Sequence, residues 1–261
     1  MEKRVFALDV EGFNIVGQVY IPEAEGACPV LCLCHGIPRG IRDPGDPGDP
    51  GDPGYPLLAQ NFCDAGFLTL IFNFRGTGDS GGNFDILGWT RDLEAVVDYV
   101  YNMKEVDSSR IFLMGFSGGA AAAVYVASKD PRVSHLVICA CPAHFRDSQH
   151  PERAKALVEH FRSIEIIRDE NFPPSLEQWF ASFSQVRPID QIERITPRPL
   201  LIIHGSKDDV VEPSQAWALY DKAGEPKEML MVPGAGHRLR VEEEAMAGAL
   251  KWLRTNAFAG D

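Results

Sequence analysis

Ser117 stands in the segment GFSGG, Gly115–Gly119, between an apolar run that reads as a strand (RIFLMGF, 110–116) and an alanine-rich run that reads as a helix, Gly118 to about Ser128. A serine in G-x-S-x-G at a strand-to-helix junction is held on a tight, strained turn that lifts its hydroxyl above the strand ends, and the flanking glycines leave room for the neighbouring strand and helix. A serine hydroxyl is a poor nucleophile at neutral pH. It needs a base, and the base needs a carboxylate to fix its tautomer. Both follow later in the chain. LLIIHGSKDDVVEP ends one strand-like run and offers Asp208 and Asp209; MLMVPGAGHRLR ends the next and offers His237 on a glycine-rich loop. Singly, each has a bland reading: G-x-S-x-G arises in Gly- and Ser-rich loops, His237 is a solvated loop residue, and Asp-Asp is a turn pair. In this order, each after a strand, they point to nucleophilic acyl transfer.

Acyl transfer places negative charge on a carbonyl oxygen, which two aimed N–H groups stabilise. One is the backbone N–H of Gly118, directly after Ser117. The second belongs to the loop after the third strand, CHGIPRG (34–40), and is assigned to Ile37. Two other histidines compete for the role of base. His35 ends a strand ahead of the nucleophile and reads as a residue that holds its loop by a hydrogen bond; His204 in IIHG reads the same way. Arg75 in FNFRGTGDSGG braces that glycine-rich loop and is expected not to touch substrate.

The elements that must position these residues follow from the apolar pattern. Two β-rich segments, Arg4 to Val10 and Asn14 to Ile21, joined by Glu-Gly, read as a hairpin. Unalternating apolar runs at 29–35, 67–74, 110–116, 135–140, 199–205 and 228–234 then alternate with helical patterns near 57–65, 87–103, 118–128, 213–223 and 241–256. Such strands are buried on both faces, so the expected fold is a doubly wound, mostly parallel sheet of about eight strands with an antiparallel start. In a parallel sheet the reactive groups gather at the carboxyl ends of the strands. Residues 143–196 break the rhythm: a helix-like run (151–168), then ENFPPSLEQWFASF, with Phe161, Phe172, Trp179, Phe180 and Phe183. They read as a small helical cap inserted in a core of 1–142 and 197–261, with Trp179 or Phe180 expected to face the substrate.

CHGIPRG, FNFRGTGDSGG, GFSGG, IHGSKDDVV and VPGAGH together resemble the ordered motif set of the α/β-hydrolase superfamily, spanning Cys34 to His237. The branch most resembled holds small serine esterases of the feruloyl or cinnamoyl esterase type. The resemblance implies the α/β-hydrolase fold and a Ser-His-Asp triad. In the family's HGxxDxxV segment the aspartate falls on Asp208. It further implies a cofactor-independent carboxylesterase working through an acyl-enzyme. Peptidases, acyl-CoA thioesterases and carbon–carbon bond hydrolases share the fold, and a non-catalytic binding protein is the reading from another class; loss of a triad residue would signal it, and none is lost.

The bulk numbers fit. The chain has 261 residues, 45% hydrophobic and 24% charged, with a formal net charge of −12. That excess of carboxylates argues against a nucleic-acid or anionic-membrane surface; a neutral small-molecule ester is expected as substrate because the aspartates of the run at 42–56 place negative charge near the active-site mouth. No secretory signal is visible in MEKRVFALDV, and the apolar runs are strand-sized, far short of a membrane span. Six cysteines, among them Cys32, Cys34, Cys139 and Cys141 within strand-like runs, suit neither a disulfide framework nor a zinc site and read as buried thiols in a reducing cytoplasm. No metal or cofactor is expected. The period-three run RDPGDPGDPGDPGYP, Arg42–Pro56, matches neither collagen nor a calcium loop. It reads as an expanded surface loop beside the active-site mouth, because Asp-Pro favours extended backbone and Pro-Gly favours tight turns.

Overall fold

β1 (Glu2–Val10) and β2 (Phe13–Ile21) form an antiparallel hairpin closed by Glu11 and Gly12, both at positive φ, 56° and 83°. Two left-handed residues in a two-residue loop match the right-handed twist of the strands they join. The structure, a computed structural model, describes residues 1–38, 54–145 and 151–258. After the hairpin come β3 (Cys28–Cys34), α1 (Gly54–Asp64), β4 (Leu68–Phe72), α2 (Ile86–Tyr101), β5 (Val106–Phe116), α3 (Gly118–Ala127) and β6 (Val133–Cys139). α4 (Ala154–Ser163) and α5 (Leu176–Gln185) precede β7 (Leu200–Gly205), α6 (Pro213–Lys222), β8 (Lys227–Val232) and α7 (Glu243–Ala257).

The strands make one sheet in the order β1-β2-β4-β3-β5-β6-β7-β8, antiparallel at β1, β2 and β4 and parallel from β4 to β8. Every residue of β3 and β7 is buried. The reason is that α1 and α7 cover one face and α2, α3 and α6 the other, each with its own apolar cluster. The register brings the strand ends together: Cys34 opposite Gly115, Phe116 opposite Cys139, Gly205 opposite Val232. The loops that follow β3, β5, β7 and β8 therefore open at one edge of the sheet. Among the described residues no helix is long and apolar enough to cross a membrane.

Among its described residues, the helical segment between β6 and β7 shares the core of the body. Val158, Phe161, Trp179, Phe180 and Phe183 join the same apolar cluster as α2 and the sheet. Phe84, on the loop before α2, is the joint: its ring packs on Phe161 (4.6 Å) and Trp89 (5.1 Å), and its carbonyl accepts the indole N–H of Trp179 (3.1 Å).

The Asp-Pro-Gly run requires a correction at its end. Gly54, Tyr55 and Pro56, expected as loop, open α1, with Gly54 and Tyr55 buried. Proline has no N–H to donate, and the first helical turn needs none. The preceding residues of the run lie outside the described residues, and with them the expected loop at the active-site mouth. All six cysteines are free and buried; burial pushes the Cys32 thiol up to about 12 and raises Cys34, Cys139 and Cys141 as well, so these thiols pack and do not react.

Arg75 fixes the glycine-rich turn after β4. Its backbone N–H, Nε and Nη2 donate to the fully buried Asp92 of α2 at 2.8, 3.0 and 2.7 Å, and Nη1 donates to Glu11 at 2.8 Å. Removing one partner of a buried pair strands the other charge. Asp92→Ala is therefore expected to cost about 3–5 kcal/mol in urea unfolding. A loss below about 1 kcal/mol would show a pair no stronger than a surface one.

Candidate active site

Ser117 joins β5 to α3 at φ 51° and ψ −119°, a conformation that costs a non-glycine residue about 1–3 kcal/mol and persists only where its surroundings enforce it. They do. Its N–H donates to Cys139 O (2.9 Å), and its carbonyl accepts from the N–H groups of Ala120 (3.0 Å) and Ala121 (3.2 Å). The flanking glycines leave no choice of side chain: a Cβ at Gly115 would stand 2.4 Å from Ala120 Cα, and one at Gly119 only 2.2 Å from His35 O. A serine in front of a helix ordinarily caps it. Ser117 makes no such bond with its side chain; its Oγ lies 3.0 Å from His237 Nε2.

His237 follows β8 on the glycine-rich loop, and its Nδ1 lies 2.8 Å from Asp208 Oδ2. The other oxygen, Oδ1, accepts the N–H groups of Val210 and Val211, each at 2.9 Å. A carboxylate only accepts, so His237 carries its proton on Nδ1 and turns the Nε2 lone pair to the Ser117 hydroxyl. Burial alone would raise the Asp208 carboxyl; the bonds from His237, Val211 and Val210 outweigh it and hold it below the usual carboxylate range. Asp208 is buried and Asp209 exposed. The geometry thus joins Ser117, His237 and Asp208, and leaves Asp209 outside.

The loop after β3 runs against the elbow. A Cβ at Gly36 would stand 3.1 Å from Ser117 Cβ, and one at Gly118 would stand 3.5 Å from Ile37 N. Gly118 opens α3, where the N–H groups have no intrahelical acceptor. The loop that carries Ile37 thus packs directly against the start of α3 at Gly118. His35 holds this loop. Phe74 N–H donates to its Nε2 (3.2 Å), so the proton is on Nδ1 and goes to Gly36 O (2.7 Å). His204 is likewise bonded to backbone, Nε2 to Val211 O at 2.8 Å.

Trp179 and Phe180, expected to face the substrate, are both buried, with ring contacts to Phe84, Phe161 and Phe183 in the seam between α5 and the body. These contacts do not bear on the expected role against substrate. Tyr55 is the residue that the sequence reading missed: its ring meets Phe116, next to Ser117, at 5.6 Å and His35 at 6.2 Å, with the Arg240 guanidinium over it at 4.8 Å. The signal was Gly-Tyr-Pro, a glycine and then proline at a helix start. Among the described residues no group of three or more His, Cys, Asp or Glu side chains stands together as a metal site.

Residues 54–257 match the sequence profile of the Prolyl oligopeptidase family. The chain is 30% identical over 167 residues to an uncharacterized protein of Salmonella typhi, YfhR, a match that covers 64% of this chain and 53% of YfhR. The chain thus spans about half the length of that relative. Among solved structures, the α/β hydrolase GrgF from Penicillium sp. sh18 superposes with a TM-score of 0.75 at 18% identity, covering 99% of this chain and 100% of GrgF. Est1E from Butyrivibrio proteoclasticus, solved with ferulic acid bound, superposes at 0.72 with 20% identity, covering 97% and 99%. These likenesses show a shared α/β-hydrolase fold.

Proposed function

The chain belongs to the prolyl oligopeptidase family and has the α/β-hydrolase fold, and on that premise we propose that it is a serine hydrolase cleaving uncharged carboxylic esters. One observation carries this reading: the line from Asp208 Oδ2 to His237 Nδ1 (2.8 Å) and from His237 Nε2 to Ser117 Oγ (3.0 Å). Ser117 Oγ attacks the acyl carbon as its proton passes to His237 Nε2. The carbonyl electron pair moves onto oxygen, which the N–H groups of Ile37 and Gly118 receive. Collapse breaks the bond to the alcohol oxygen, and His237 returns the proton to that leaving group. Water then gives a proton to His237 and attacks the acyl-enzyme; the tetrahedral adduct releases the acid, and Ser117 regains its proton. Asp208 stays ionised throughout and stabilises the imidazolium.

The net charge of −12 supports a preference for neutral over anionic esters, stronger at low salt. The free buried thiols support a reducing compartment, the cytoplasm. The family match favours a second reading, peptide-bond hydrolysis, in which the same residues act and an amine leaves. The two separate on a panel of p-nitrophenyl esters of increasing acyl length beside peptidyl p-nitroanilides. Short, neutral esters are expected to give the higher kcat/KM. Faster turnover of any anilide than of every ester would replace the esterase reading by the peptidase one.

A further inference from the structure

His204, next to last in β7, is fully buried, and none of the steps above uses its ring. Its Nε2 lies 2.8 Å from Val211 O and 3.4 Å from Asp208 Oδ2. Both neighbours only accept, so Nε2 carries the proton and its hydrogen bond goes to Val211. Desolvation holds the proton affinity of this imidazole below the ordinary histidine range, which keeps the ring neutral beside Asp208. Val211 is consequently held on both sides: its carbonyl accepts from His204, and its N–H donates to Asp208 Oδ1 at 2.9 Å. Asp208 passes the constraint to His237 through Oδ2 (2.8 Å), and His237 passes it to Ser117 (3.0 Å). A continuous chain of hydrogen bonds thus runs from a buried histidine to the nucleophile.

We propose that His204 is a positioning residue for Asp208: it pins the 208–211 turn so that the carboxylate oxygen meets the His237 N–H. The proposal rests on the reading of Ser117, His237 and Asp208 as the reacting triad. A purely structural histidine would only fill space, and leucine fills it nearly as well. Leucine, however, leaves the Val211 carbonyl buried without a donor, and the turn must rotate to satisfy it. Displacements of about 1 Å in a supporting group cost up to about a hundredfold in rate.

The test compares His204→Leu, His204→Asn and His204→Gln in the full chain. It reads hydrolysis of p-nitrophenyl butyrate and the rate of phosphonylation of Ser117 by a fluorophosphonate. The glutamine amide reaches the position of Nε2; the asparagine amide stops near that of Nδ1. Leucine and asparagine are expected to lower kcat and the phosphonylation rate by about ten- to hundredfold with KM changed by less than about twofold, while glutamine keeps most of both. In an Asp208→Asn background, His204→Leu should add no further loss, because the link through which it acts is already broken. Parental rates in the leucine or asparagine variant, an equal loss in the glutamine variant, or full additivity with Asp208→Asn would each overturn the proposal. Should His204→Leu fail to fold, the asparagine and glutamine pair decides it. Failure of the underlying triad shows separately, as parental activity in Asp208→Asn alone.

Discussion

Ser117→Ala should keep the melting temperature of the parent and lose about four to six orders of magnitude in kcat. The hydroxyl serves its helix with no capping bond, and its polar neighbour is His237 Nε2, on a side chain that is 12% exposed and so within reach of water. Deleting it therefore strands no buried polar group, and the strained backbone at φ 51° is enforced by main-chain bonds that alanine retains. Activity and stability should separate cleanly. Retained turnover in a preparation free of contaminating hydrolases would remove Ser117 from the mechanism.

Asp208→Asn is expected to lower kcat by about 10⁴-fold, while Asp209→Asn changes it less than about twofold. The hydrogen bonds at Asp208 dictate how the amide must sit. Oδ1 accepts two backbone N–H groups, from Val210 and Val211, so the asparagine oxygen takes that side. Its NH₂ then occupies the place of Oδ2 and faces His237 Nδ1. The imidazole must move its proton to Nε2 to accept that donor, and in that tautomer it cannot take the proton of Ser117. Asp209 is exposed and has no comparable hold on the ring. A reversed pair of effects would shift the acid by one residue.

Much of this was legible in the sequence, and the reason differs from element to element. β3 and β7 read as buried strands because helices cover both faces of a parallel sheet, and so every residue except His204 is apolar or small. Ser117 was legible because glycine is the one residue that fits at 115 and 119, where an added Cβ would stand 2.4 and 2.2 Å from neighbouring backbone atoms. The choice between Asp208 and Asp209 lies in the turn itself: only the first can fold back onto the N–H groups two and three residues ahead while facing His237. Tyr55 was hidden by composition, since a repeat of turn-forming triplets masks the helix that starts on its last glycine. For the aromatic residues between β6 and β7, density in the sequence announced burial but not against what. Trp179 bonds to a carbonyl 95 positions away, a contact no local pattern encodes.

The most direct test of the whole account is reaction of the native chain with a fluorophosphonate, followed by intact-mass and peptide mass spectrometry. The reagent needs a serine oxygen activated by a neutral imidazole and an oxyanion site beside it, and it needs no knowledge of the substrate. The account predicts one phosphonyl group per chain, on the peptide that contains Ser117, with labelling abolished in Ser117→Ala and strongly slowed in His237→Ala. A chain that stays unlabelled, or one labelled equally well after Ser117 is removed, would contradict it.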